Sequence, residues 1–222
     1  DATVQAPVMP TLDNAYSREE AIAEANRCLD CRCHICVRQC KYLQHFEGYP
    51  GRYIREISNH ISMLVGQRQS GPLIYSCSLC GLCGELCPNA IEMPQVCRLA
   101  RQSLVEKGLD VPPTHDFPLR DMAFSNGEEA ALWRHAPGES SSEYLFYPGC
   151  QLTANLPQHV KKVYQYLLNT VSAKTGLALG CCGAPASWSG HQELAEETWQ
   201  SFLTQWEGLG RPTIITACAT CS

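Results

Sequence analysis

A chain of 222 residues that is 45% hydrophobic can bury one or two modest cores, and no stretch of it reaches the roughly eighteen consecutive apolar residues of a membrane span. The formal charge of -5 and the lack of any Lys/Arg block argue against a nucleic-acid or anionic-membrane surface, each of which needs a concentrated positive patch. Its 15 cysteines, an odd count bunched two and three residues apart, suit a disulfide framework badly and a metal cluster well; the expectation is a soluble, cytoplasmic protein with protein partners.

Residues 1–16, with Pro7 and Pro10 and no periodicity, read as a tail or linker, and a chain that opens on Asp1 and stops just after Cys221 reads as part of a longer one. A helix is expected from Ser17, which forms a capping-box pair with Glu20; Ile22, Ala25 and Leu29 then follow at helical spacing and deliver Cys28. The first cysteine run, Cys28, Cys31, Cys33, Cys36 and Cys40, offers one thiol more than four ligand positions need. Ile54, Ile57, Ile61 and Leu64 next share a helical face that ends at Gly66.

The second run is Cys77, Cys80, Cys83 and Cys87 before Pro88, a C-x2-C-x2-C-x3-C-P spacing that matches the bacterial ferredoxin run residue for residue. Thiolates two residues apart can wrap three corners of one 4Fe-4S cube, while the fourth, held away by the proline, reaches another. Gly81 and Gly84 let the backbone approach the sulfides. Zinc, the competing metal, usually takes two separated pairs. A third helix is expected from about Pro94 to Gly108 with Cys97, Ala100 and Leu104 inward, Cys97 as a buried apolar thiol.

Residues 17–108 thus read as an all-helical domain with a thin core that depends on its clusters. Arg27, Arg32, Arg38 and Lys41 surround the first run, whereas Glu85 is the one charge within the second. Those cations would place the first cube at the higher potential, unless they are merely solvated.

Residues 109–142 hold Pro112, Pro113, Pro118, Pro137, Gly138 and three consecutive serines, and read as a connector with one short helix near 128–133. From 143 to 222 the pattern changes. Segments 144–147, 177–179 and 213–217 read as strands, with helices over 156–170 and 191–206 between them, an order that implies a small α/β domain on a parallel sheet. Cys150, the Cys181-Cys182 pair, and Cys218 with Cys221 follow the successive strands, so all should meet at the carboxyl edge of the sheet, where open α/β folds bind ligands. The plainer alternatives are a redox C-x-x-C at Cys218 and Cys221, or a zinc site from the same thiols. His34 and His45 are expected as supporting or exposed residues rather than ligands; Trp188, Trp199 and Trp206 as packing or docking residues.

The register of Cys28, Cys31, Cys36 and Cys40, preceded by Ala25-Asn26-Arg27, resembles the amino-terminal dicluster domain of glutamate synthase small subunits and dihydropyrimidine dehydrogenases, with Lys41 in place of that family's usual proline. The resemblance implies that these four are ligands and Cys33 a bystander; a tighter wrap through Cys33 is the alternative. By analogy with two-cluster ferredoxins, Cys40 would complete the cube of Cys77, Cys80 and Cys83, and Cys87 that of Cys28, Cys31 and Cys36. Tyr147-Pro148-Gly149-Cys150 and Gly180-Cys181-Cys182-Gly183 resemble the cysteine-rich CCG domain of heterodisulfide reductase subunits, lactate-utilisation proteins and glycolate oxidase iron-sulfur subunits. In that family five cysteines bind a non-cubane four-iron cluster, and two such domains usually stand in tandem where this sequence has one.

The motif order resembles the fused iron-sulfur subunits of heterodisulfide reductase and its relatives. It implies the electron-transfer part of a larger flavin-linked oxidoreductase, in which two 4Fe-4S clusters and one further iron-sulfur cluster exchange electrons with a flavoprotein domain or subunit and other redox subunits. No G-x-G-x-x-G turn or phosphate loop is present, so any nicotinamide or flavin binding belongs to other sequence. Disulfide reduction at the non-cubane cluster is the alternative, and a zinc-bound interaction scaffold the third reading.

Overall fold

The computed structural model describes residues 7–11, 16–28, 31–62, 71–109 and 112–222. Leu29, Leu64 and Gly66, counted above into helices, lie outside them. The protein is a mixed α and β chain of two compact units, Asp1–Leu109 and Asp110–Ser222. Among the described residues no helix is long and apolar enough to cross a membrane.

The described residues of the first unit form helices and no strand: α1 (Arg18–Asn26), α2 (Ile35–Gln39), α3 (Lys41–His45), α4 (Pro50–Ser62), α5 (Gly71–Tyr75), α6 (Leu82–Leu86) and α7 (Met93–Glu106). The capping box forms as read: Ser17 Oγ accepts from the Glu20 N–H at 3.2 Å, and the Glu20 carboxylate accepts from the Ser17 N–H at 2.7 Å. Beyond its cap α1 is held by polar contacts, because it buries no side chain and Ile22 is exposed. Glu24 accepts from the Val8 N–H and pairs with Arg27.

The core lies between α4 and α7, where Tyr53 and Ile57 meet Cys97, Ala100 and Leu104 at helical spacing, closed by Leu43, Leu73, Ile74 and Met93. The helices within and beside the cysteine runs, α2, α3 and α6, have five residues each. Such helices do not persist alone, so the packing that holds them also sets where their thiols stand.

The second unit comprises α8 (Pro113–Ser125), β1 (Leu132–Arg134), β2 (Tyr144–Tyr147), α9 (Cys150–Asn155), α10 (Pro157–Thr170), β3 (Thr175–Leu179), α11 (Ala184–Ser189), α12 (Gln192–Gly208) and β4 (Thr213–Thr216). The sheet order is β1-β3-β2-β4. β2 runs parallel to both neighbours, with Phe146 opposite Leu177 and Ile215. Alternation along β2 sends Leu145 and Tyr147 to a core with Phe202 of α12, and Phe146 to one with Val160 and Leu167 of α10. The chain leaves β2 for β3 on one side and reaches β4 on the other. The carboxyl end of β2 is therefore a topological switch point.

Three expectations change here. The sheet is mixed rather than parallel, because β1 pairs antiparallel with β3, Trp133 opposite Ala178; three residues are too few for a period to show. The short helix expected over 128–133 is instead a turn at Gly127, whose carbonyl accepts from the Ala130 and Ala131 N–H groups, leading into β1. The stretch read as a patternless connector contains α8. Its prolines misled: Pro113 begins the helix, where a missing N–H costs nothing, although Pro118 lies inside.

Candidate metal centres

In the first unit the two runs interleave. Cys31, Cys33 and Cys36 line one narrow recess of about 20 Å³, together with Cys87 from the second run, His34 and Tyr49. Cys31 is half-buried, and its Sγ accepts from the Gly51 N–H at 3.3 Å. Burial pushes the Cys31 thiol up despite that bond, and repulsion from Cys28, Cys87 and Cys33 adds to it. Cys36 is pushed up to about 11 by burial and then by Cys87, Cys31, Cys33 and Cys83. Cys28 and Cys33 are exposed.

The second gathering joins Cys77 and Cys83 with Cys40 of the first run. Burial raises the Cys83 thiol, the Met93 N–H opposes it, and Cys77 and Cys40 raise it further. Cys80 is exposed. Backbone turns aim these side chains: Cys31 and Leu79 hold φ of 53° and 59°, left-handed values unfavourable for residues with a Cβ, and Gly81 holds 81°. Strain of this kind collects at functional sites. Cys97 is buried as expected but is no mere apolar thiol, since it stands beside Cys77 and 3.9 Å from Tyr42 Oη.

In the second unit the five cysteines do converge at the carboxyl ends of the strands. Cys221 Sγ donates to Cys182 Sγ at 3.4 Å. Cys150 stands beside Cys181, Cys181 beside Cys182, and Cys218 beside Cys221. Bonds from their neighbours hold the Cys150 and Cys182 thiols low, while Cys181 and Cys221 are pushed up by keeping the shared protons. So crowded a set of thiols offers several ligands to a multinuclear metal-sulfur group rather than to one ion.

Two further residues tie into this site that sequence spacing could not reveal. Asn126, just past α8, clamps Cys181 on both sides: its Oδ1 accepts from the Cys181 N–H at 2.7 Å and its Nδ2 donates to the Cys181 carbonyl at 3.2 Å. Tyr147 Oη is buried with no hydrogen-bond partner among the described residues. Burial pushes the Tyr147 hydroxyl far up, and the charges of Cys182, Cys221, Cys181 and Cys150 add to it. A buried hydroxyl left without an acceptor costs free energy. A sulfur-rich group among the cysteines would supply one. Among the described residues no three His, Cys, Asp or Glu side chains converge closely enough to hold a single metal ion.

Residues 13–92 match the family described as a 4Fe-4S dicluster domain, and residues 144–222 match the cysteine-rich domain family. An uncharacterized iron-sulfur protein of Methanococcus maripaludis is 23% identical over 213 residues, 87% of this chain and 42% of that protein. A fumarate reductase (CoM/CoB) subunit of Methanothermobacter marburgensis is 22% identical over 206 residues, 85% of this chain and 41% of that one. Lactate utilization protein B of Bacillus cytotoxicus is 33% identical over 128 residues, 55% of this chain and 26% of that one. The chain thus spans less than half the length of these relatives. No solved structure matches it significantly. Neither matched family is described by zinc, and the resemblance read from the cysteine motifs holds in both halves. The chain thus carries a 4Fe-4S dicluster domain followed by a cysteine-rich domain.

Proposed function

We propose that this chain is the electron-transfer module of a larger cytoplasmic, flavin-linked oxidoreductase. Cys28, Cys31, Cys36 and Cys87 would hold one 4Fe-4S cube, and Cys77, Cys80, Cys83 and Cys40 the other. Cys150, Cys181, Cys182, Cys218 and Cys221 would hold a third cluster, of the non-cubane type. The dicluster domain is assigned to 17–108 and the CCG domain to 143–222, with α8 and Asn126 of the intervening stretch bracing Cys181.

The observation that carries this reading is the exchange between runs: Cys87 stands with Cys31 and Cys36, and Cys40 with Cys83 and Cys77. Each run alone would supply one complete zinc-like set, whereas two cubes built in the two-cluster ferredoxin manner require the swap. Bound clusters would each accept and return single electrons. The chain's own part is to hold thiolates in fixed turns, to aim the Gly51 N–H at Cys31 Sγ, and to keep the Tyr147 hydroxyl dry beside the third set. A relative named as one subunit of a fumarate reductase supports other redox subunits as partners; a flavoprotein among them is part of the proposal.

A recess of about 310 Å³ favours disulfide reduction as the second reading, because Trp133, Tyr147, Phe202 and Glu197 line it together with Cys181. One preparation decides between them. The anaerobic chain, reduced and then mixed with a one-electron acceptor, should return its electrons while leaving a small disulfide intact. Disulfide cleavage that depends on Cys181 and Cys182 would establish the second reading. Stoichiometric zinc with little iron would end both.

A further inference from the structure

Helix α7 turns two side chains, one helical turn apart, toward Cys77. Cys97 is wholly buried in the core against which Cys77 packs, and a thiol carries one S–H donor. Arg101 is 1% exposed. Its guanidinium donates to the Ile74 carbonyl at 3.0 and 3.1 Å, to the Tyr75 carbonyl at 3.2 Å and to the Cys77 carbonyl at 2.6 Å, and its carbon lies 5.4 Å from the centre of the Tyr75 ring. Guanidinium stays protonated even when burial disfavours the charge, as it does here. A full positive charge is therefore fixed at the backbone of Cys77, out of water.

We propose that Arg101 and Cys97 are positioning residues that raise the reduction potential of the cube assigned to Cys77, Cys80, Cys83 and Cys40. Reduction adds one electron and no proton, so the thiolate-bound group becomes more negative by one charge. A buried cation beside it and a hydrogen bond donated to one of its sulfurs both stabilise that state. The cations counted along the first run act differently. Arg27 pairs with Glu24, and Arg32, Arg38 and Lys41 are exposed, where water and salt screen them.

A purely structural role competes, since Arg101 also ties the carbonyl end of α5 to the loop before Cys77. The two roles separate in the potential of each cluster. Arg101→Gln, Arg101→Lys and Cys97→Ala should be prepared anaerobically as full-length chains, assayed for iron and sulfide, and titrated potentiometrically with EPR detection. The signal altered by Cys80→Ser identifies the cluster in question. Arg101→Gln should shift its reduction equilibrium at least tenfold toward the oxidised form, about 59 mV for one electron. Arg101→Lys should restore most of that shift, Cys97→Ala should give a smaller shift of the same sign, and the other cube should not move.

Full iron with unchanged potentials in Arg101→Gln overturns the proposal. So does an equal shift of both cubes. If Arg101→Gln loses iron, the structural role holds for Arg101 and the proposal fails there; an unchanged potential in Cys97→Ala ends it for Cys97 as well. Absence of iron from the unmutated first unit would refute the ligand assignment itself, a separate result from unmoved potentials.

Discussion

Cys31 and Cys33 stand on the same turn, yet different things hold them. Cys31 is half-buried with an N–H aimed at its sulfur, while Cys33 is exposed and gives its carbonyl to Arg38 at 3.4 Å. Both reach the recess shared with Cys36 and Cys87. The fixed, donor-supported thiol is the better ligand, so Cys33→Ala should leave iron and sulfide unchanged and Cys31→Ala should lose about four irons. Metal analysis of the two variants, with the spectrum of the reduced protein, checks this; the reverse outcome would place Cys33 in the tighter wrap. At this scale the cysteine runs were legible because their spacing is local. Arg101 and Asn126 were not, because each acts on a cysteine more than twenty residues away, Arg101 on Cys77 and Asn126 on Cys181.

The junction of β2 and α9 shows what an element boundary contributes. Gly149 holds φ of 86°, and a Cβ there would stand 3.1 Å from Cys218 Cβ and 3.4 Å from Cys221 Sγ. Gly149→Ala would therefore strain the backbone and displace two of the five thiols at once. The expected result is a chain that keeps about eight irons and loses about four, read by iron analysis and by the surviving EPR signals. A full iron complement would show that the loop relaxes without disturbing the thiols. Helices with a clear apolar face, α4 and α7, were legible in the sequence. α8 and β1 were not: prolines masked the first, and three residues carry no period in the second.

The two units differ in what supports them. The second packs a sheet between α10 on one face and α12 on the other, two apolar layers with Cys182 and Cys221 only at the margin of one of them. The first has one core, and Cys36, Cys83 and Cys97 are part of it. Iron removal by an anaerobic chelator should therefore unfold the first unit and leave the sheet of the second standing, since metal binding supplies folding free energy where the apolar core is small. Far-ultraviolet circular dichroism would show a partial loss of helix, with the near-ultraviolet signal of Trp133 and Trp206 retained. Loss of both signals together would mean that the second unit also depends on its metal.

By itself the sequence determined the metal chemistry, the order of the two domains and the strands on which the third cysteine set rides. Those follow from spacing over a few residues and from strand and helix periods, which the chain carries locally. Only the tertiary structure decided which thiol of one run stands with the other, which helix clamps Cys181, and where a buried charge meets Cys77. Such contacts join residues roughly twenty to sixty positions apart, the reach of a whole domain fold rather than of any local pattern, and no periodicity records which of them packing will bring together.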